Sequence, residues 1–476
     1  MSSVGRPAPD QALQEIADYV IDFEIRNPAT YRIARLCVMD AMGCAIEALN
    51  FSECTRMLGP AVPGMQFSPG ARVPGTALEL DPVSGAFNIA TMIRWLDFND
   101  ALAAAQGGHP SDNLGAILAV ADYLARNRDF PRPPLLMRDV LTALAKCYEI
   151  HGVLSLENRL EPLGFDYVVL PKVAAAAVLT KVLGGTRDQI ISAVSNAWAD
   201  GASLAIYRHG DNTGPRKSWA AGDAASRAVW LALLAMKGEM SYPSVLSART
   251  YGFHDAVMRG NALRYPRAFG DFVINNVVAF KFVPAGMQGQ SAAECAFRLH
   301  PFVKDRLDEI AAVEIKSHER MMRIMHKTGP LTNPADRDHC AQYLIAVGMI
   351  HGHIGTRHFS DAFAADPRID ALRAKMTVEE EPTYTRDFHD PTKRSNTHAV
   401  RVVFRDGSSL PEVKVEYPAG HPPLDERAGA LVQSKFRRHL EGRFAPEQVH
   451  LILDLFRNEE QFDATPVDVF MRAFAR

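Results

Sequence analysis

A chain of 476 residues exceeds what one hydrophobic core usually covers, which excludes a small binding module and predicts two domains or one domain carrying an insertion. With 47% hydrophobic and 22% charged residues, the composition is that of a soluble globular protein rather than a disordered, collagen-like or coiled-coil one. The formal net charge of −3 comes without a strong basic run, so nucleic acid is not an expected partner.

The six cysteines, Cys37, Cys44, Cys54, Cys147, Cys295 and Cys340, are scattered without a C-x-x-C pair. This scatter fits a reducing compartment and offers no local ligand set for zinc or an iron–sulfur cluster. The opening MSSVGRPAPDQALQEIADYV has no apolar core behind a basic start, and no run of roughly 18 apolar residues follows. Neither export nor membrane contact is expected, and the closing Phe474-Ala475-Arg476 is not a peroxisomal address. The cytosol is the expected compartment, with the mitochondrion as the alternative.

The first half reads as successive helices. Ala12 to Ile25 spaces Leu13, Ile16, Ala17, Val20 and Ile21 at helical period, and Tyr31 to Glu47 and Leu114 to Arg126 do likewise. Small-residue runs such as Ala174 to Ala177 and Ala220 to Ala225 predict helices that approach closely, although alanine's helix propensity explains part of them. Near residue 270 the texture changes. Ile310 to His318 alternates like a strand, and His398–Phe404 and Val413–Tyr417 flank Asp406-Gly407, a hairpin turn signal. After Pro418 the helical pattern returns over Ala428–Leu440 and Pro446–Asn458. The expected architecture is mainly α with an α+β lid: a helical domain from residues 1–272 and 417–476, and a lid over 273–416.

Several segments carry more reactive side chains than a helical core needs. Asp97-Phe98-Asn99-Asp100 is followed by His109-Pro110-Ser111-Asp112-Asn113, where Ser111 or Asp112 can cap the next helix. This is either an imidazole beside a carboxylate-attracting helix start or a capped loop with a surface histidine. Arg208, His209, Arg216 and Lys217 stand on a Gly/Asn/Pro loop that suits a polyanionic small molecule or is simply a solvated basic loop. Asp336, Arg337 and Asp338 read most simply as a local salt-bridged cap for the helix containing Tyr343. Lys281, between Phe280 and Phe282, must either snorkel or point its amine at an anion.

These strings carry a resemblance. LDFND with GGHPSDNLG, then YRHGDNTGPRKSWAAGDAASRAV, GPLTNPADRDHC and VEYPAGH resemble the MmgE/PrpD family over nearly the whole length, and within it the PrpD-type dehydratases of 2-methylcitrate. The resemblance implies a helical domain built from both chain ends, a smaller α+β lid, a homodimer, and a metal-free, cofactor-free active site between the domains. It implies a small tricarboxylate substrate that loses water. By match to the family, His109 is the leading acid/base, Lys217 and Lys281 are cationic partners, Asp97 is an orienting carboxylate, and Arg208, His209, Arg216 and Arg337 form a clamp. Relatives that decarboxylate cis-aconitate have threonine where this chain has Ala101.

Two departures sharpen the expectation. Where PrpD-type dehydratases read G-L-D-H, this chain has Gly164-Phe165-Asp166-Tyr167, and where they read P-A-E-F-H-S-Q it has Pro284-Ala285-Gly286-Met287-Gln288-Gly289-Gln290. Tyr167 is left to protonate a leaving hydroxyl or hold a carboxylate, and Gln288 replaces a histidine. Gly286 and Gly289 predict room for an alkyl group longer than methyl, as in the dehydratases of fungal alkylcitrate-derived secondary metabolites. The expected activity is that of a 2-alkylcitrate dehydratase, with 2-methylcitrate close behind. The alternatives are a cis-aconitate-type decarboxylase and an inactive binding paralogue.

Overall fold

The computed structural model describes residues 6–127, 134–422, 424 and 426–476; the first five residues, part of the stretch read for an export signal, lie outside them. The chain is mainly helical with a small mixed sheet. Among the described residues no helix is long and apolar enough to cross a membrane.

The elements that position the site are α1 (Pro28–Ala48), α2 (Pro82–Arg94), α3 (Asp112–Arg126), α4 (Met137–Glu157), α5 (Val169–Val182) and α6 (Arg216–Met236). Local chemistry starts α2: the Asp81 carboxylate accepts from Val83 N at 2.9 Å and Ser84 N at 3.1 Å, and proline occupies the first helical position. The close approach expected of the small-residue runs is realised where α6 crosses α2. A Cβ on Gly222 would meet Thr91 Oγ1 at 2.1 Å, so only glycine fits.

Residues from Ala12 to Phe280 share one hydrophobic core with residues from Ala428 to Phe474. The returning helix α9 (Glu426–Glu441) is tied to the first half by Lys435, whose buried Nζ donates to Asp40 Oδ1 at 2.7 Å, Phe98 O at 2.6 Å and Lys281 O at 3.1 Å. The backbone beside Asp97 and that of Lys281 are thus anchored by one ammonium.

A second core runs from Val283 to Val415. Strands β1 (Ile310–Ser317), β2 (Met376–Glu380), β3 (His398–Phe404) and β4 (Val413–Val415) lie in the order β2-β1-β3-β4. β1 pairs parallel to β2, with Val313 opposite Met376, and antiparallel to β3, with Ile315 opposite Val400. The β3–β4 hairpin turns at Asp406-Gly407, where Gly407 adopts φ 83° and its N–H donates to Phe404 O at 3.0 Å. Helices α7 (Gln290–Val303) and α8 (Ala341–His351) pack together over this core.

Candidate active site

The site grows from the turn after α2. Asp97 takes φ 49°, a left-handed conformation that Asp and Asn tolerate better than most side chains, and it is 1% exposed. The carboxylate meets Arg94 Nη1 at 3.0 Å, Lys217 Nζ at 3.4 Å and the Nζ of Lys281, which also donates to the Asp97 carbonyl at 2.9 Å. Burial works against the Asp97 charge, but Arg94, Lys281 and Lys217 outweigh it and hold the carboxyl well below the usual range. Lys281 therefore points at an anion. Burial pulls its pKa down to about 8 against the opposing attraction of Asp97.

His109 stands beside this cluster, its Nε2 4.0 Å from Asp97 Oδ1. Burial, then the charges of Arg94 and Lys281, push its pKa well below the ordinary imidazole value. Its Nδ1 lies 2.5 Å from the Asp100 carbonyl, which only accepts, so Nδ1 carries the hydrogen and Nε2 is the basic nitrogen. The preceding Gly108 packs against His151, whose Nε2 a Cβ there would meet at 2.5 Å. The expected Ser111 cap is not made, because its hydroxyl donates to Asp100 Oδ1 at 2.6 Å and α3 begins at Asp112 without a side-chain cap.

His109, Lys217 and Lys281 thus meet at one carboxylate, beside a cavity of about 100 Å³ at the seam of the two cores. Arg208, His209 and Gln288 line it as well. Arg208 is held by Asp166, with Nε 2.9 Å from both carboxylate oxygens and Nη2 2.8 Å from Oδ2. The Tyr167 ring lines the cavity, but its hydroxyl donates to Asp112 Oδ2 at 2.9 Å and burial raises its pKa well above the phenol range. It does not offer its proton to the cavity. Burial also raises Asp112 to about 7 and Asp100 to about 6.

Two of the clamp residues are not brought here. Arg216 is carried to the surface by α6, where its guanidinium stacks over Trp219 at 4.1 Å. Arg337 turns into the second core's own loops, donating to Phe359 O at 2.8 Å and Asp361 Oδ1 at 2.6 Å. Nor do Asp336, Arg337 and Asp338 form one local cap. Asn333 Oδ1 caps the short turn at Asp336 N, at 3.0 Å, and Asp338 reaches across the seam to Lys217 Nζ at 2.5 Å. His339 follows, with Nδ1 3.0 Å from Lys217 Nζ and Nε2 3.4 Å from Asp97 Oδ2.

Sequence reasoning read Asp338 only as part of a local cap and passed over His339, although both stand in the quoted GPLTNPADRDHC motif. It also passed over Arg94, an arginine at the end of an apolar helix, and Arg320, a buried residue whose Nη1 lies 3.5 Å from Glu161 in the cavity wall. Asp97, Asp338 and His339 are the one group of potential metal ligands that converges among the described residues. Lys217 and Lys281 already place ammonium groups against these carboxylates, so a cation would have to displace buried ion-pair partners.

The expected extra volume at Gly286 and Gly289 is already filled. A Cβ on Gly286 would meet Met325 Sδ at 3.2 Å, and one on Gly289 would meet Leu344 Cδ1 at 2.4 Å and Met325 Cε at 2.8 Å. A roomier cavity of about 860 Å³ lies elsewhere, around Tyr19 and Arg267. Its wall carries Asp10, Glu15, Asp18 and Asp22, an acidic lining that disfavours an anion.

Residues 14–266 match the MmgE/PrpD N-terminal domain and residues 283–461 the MmgE/PrpD C-terminal domain. The chain is 49% identical over 477 residues to a 2-methylcitrate dehydratase of Cupriavidus necator, covering 99% of each protein. It is 47% identical over 470 residues to a 2-methylcitrate dehydratase of Salmonella typhi, covering 98% of this chain and 97% of that one. Against the 2-methylcitrate dehydratase-like protein oryR of Aspergillus oryzae the identity is 41% over 480 residues, covering 98% and 96%. With both family domains matched and full-length relatives near half identical, the chain belongs to the MmgE/PrpD family.

Proposed function

We propose that this protein dehydrates 2-methylcitrate to an unsaturated tricarboxylate. The observation that carries the reading is one cavity lined both by a neutral imidazole with a basic Nε2 and by the guanidinium groups of Arg94 and Arg208. Desolvated donors of this kind are complementary to substrate carboxylates. His109 takes the C–H proton, Lys281 and Lys217 offset the enediolate-like charge that builds on the neighbouring carboxylate, and Asp97 holds the two ammonium groups in place. The names of the relatives support the same reaction.

Turnover of 2-methyl-, 2-butyl- and 2-hexylcitrate, followed by formation of the conjugated double bond, tests the reading; no dehydration of any of them contradicts it. The methyl compound is expected to be preferred, because Met325 and Leu344 occupy the space beside Gly286 and Gly289. Met325→Ala should raise kcat/KM for 2-butylcitrate relative to 2-methylcitrate at least ~10-fold, the scale of a few methylenes in an apolar pocket. An unchanged ratio places the alkyl group elsewhere. The reaction needs no added cofactor in this reading, and activity lost on chelation and restored only by iron or zinc would count against it.

The pH profile follows from Lys281. The free enzyme loses this ammonium as the pH rises through about 8, so kcat/KM should fall on the alkaline side from there. A profile level to about pH 10 removes Lys281's charge from the mechanism.

Residues 273–416 act in this reading as a lid on the helical domain formed by 1–272 and 417–476. The separate cores, and a cavity of about 100 Å³ where ligand pockets usually enclose ~300 Å³ or more, support it. X-ray scattering with and without saturating substrate should show contraction on binding and the mass of a homodimer; an identical profile in both states argues against a moving lid. The six buried free thiols fit a reducing compartment such as the cytosol.

A further inference from the structure

We propose that His339 is the general acid of the dehydration, delivering to the departing hydroxyl a proton that neutral His109 does not carry on Nε2. The inference rests on the dehydratase reading above and adds a catalytic residue to it.

His109 is confined to one direction by its own contacts. With its hydrogen held on Nδ1 by the Asp100 carbonyl, at 2.5 Å, the ring takes a proton at Nε2 and has none there to give. A tertiary hydroxyl expelled while His109 is still taking the C–H proton requires a proton from another group.

A second buried imidazole flanks the same carboxylate. His109 Nε2 lies 4.0 Å from Asp97 Oδ1, and His339 Nε2 lies 3.4 Å from Oδ2. His339 lines the same cavity. A Cβ on Gly286, another lining residue, would come within 3.3 Å of His339 Nε2, so glycine leaves that nitrogen uncovered.

Around its Nδ1, His339 has what His109 lacks, a donor together with an acceptor. Lys217 Nζ stands 3.0 Å away and Asp338 Oδ1 2.5 Å away. When Lys217 donates to Nδ1, the hydrogen of the neutral ring sits on Nε2. When Nδ1 donates to Asp338, Nε2 is bare. The ring can give up its Nε2 hydrogen and accept a replacement at Nδ1 without moving.

The step balances. The C–H proton passes to His109 Nε2, and the pair it leaves forms the double bond. The C–O bond breaks, its oxygen takes the Nε2 proton of His339 and departs as water, and a Lys217 proton shifts to Nδ1. After product release His109 yields its proton to solvent, Lys217 takes the Nδ1 proton back from His339, and solvent restores the proton on His339 Nε2.

The test compares 2-methylcitrate with its analogue carrying fluorine in place of the tertiary hydroxyl, since fluoride departs without being fully protonated. His339→Gln should lose at least ~100-fold in kcat on 2-methylcitrate, with little change in KM or melting temperature, and less than ~10-fold on the fluoro analogue. His109→Gln should lose activity on both. Equal losses of His339→Gln on the two substrates, or near-normal turnover of 2-methylcitrate, would overturn the acid role; if the Gln variant fails to fold, His339→Asn is measured against the same outcomes. A wild-type protein that turns over neither substrate overturns the dehydratase reading, and this inference with it.

Discussion

His109→Ala is expected to lower kcat by at least ~100-fold while leaving substrate binding and melting temperature nearly unchanged. The ring is buried, and its one hydrogen bond among the described residues is from Nδ1 to the Asp100 carbonyl at 2.5 Å, a contact whose loss costs about 1 kcal/mol. That is small for a chain of this size. What the variant removes is the basic Nε2, kept neutral by burial and by the charges of Arg94 and Lys281. Were His109 only packing the turn before α3, the variant would melt earlier and its folded fraction would turn over normally. Turnover and melting measured on one preparation separate the two, and a stable, nearly fully active His109→Ala protein ends the base assignment.

Asp97→Ala is expected to cost about 3–5 kcal/mol of folding stability, the usual penalty for breaking a buried ion pair by removing one partner. Lys281, Lys217 and Arg94, none more than 2% exposed, would then face one another with less compensation. The Asp338 carboxylate reaches Lys217 alone among them. Denaturant unfolding of Asp97→Asn, which keeps the size and the tolerance for φ 49°, isolates the charge from the shape. Adding Lys281→Met to Asp97→Asn should recover part of the loss, a coupling that a double-mutant cycle reads directly. A loss below about 0.5 kcal/mol for both single variants would mean the cluster is compensated without Asp97.

Local patterns survived into the fold where short-range chemistry decides them. The strand His398–Phe404 has the bounds its alternation predicts, and Asp406-Gly407 makes the turn between β3 and β4. The helix read over Tyr31–Glu47 extends only to Pro28–Ala48, because Asn27 accepts from Ala29 N and proline starts the first turn. Strand Val413–Tyr417 stops at Val415, just before the chain turns at Pro418.

The site divides along the same line. His109, Asp97 and Lys217 were legible because each stands in a string whose polar residues no helical core requires, and the order of those strings marked the family; Lys281 was legible as a lysine between two phenylalanines. The tertiary structure alone decided which charges meet. Arg337 and His339 are two positions apart, yet the backbone turn between them sends the guanidinium to Asp361 and the imidazole to Asp97. The glycines at 286 and 289 implied open space, and only the placement of Met325 and Leu344 shows that space to be filled. Spacing along a chain sets which side chains share a turn or a face; long-range packing sets which atoms fill a gap and which ammonium neutralises which carboxylate, and the contacts of Lys217 and Lys281 with Asp97 and Asp338 join residues more than a hundred positions apart.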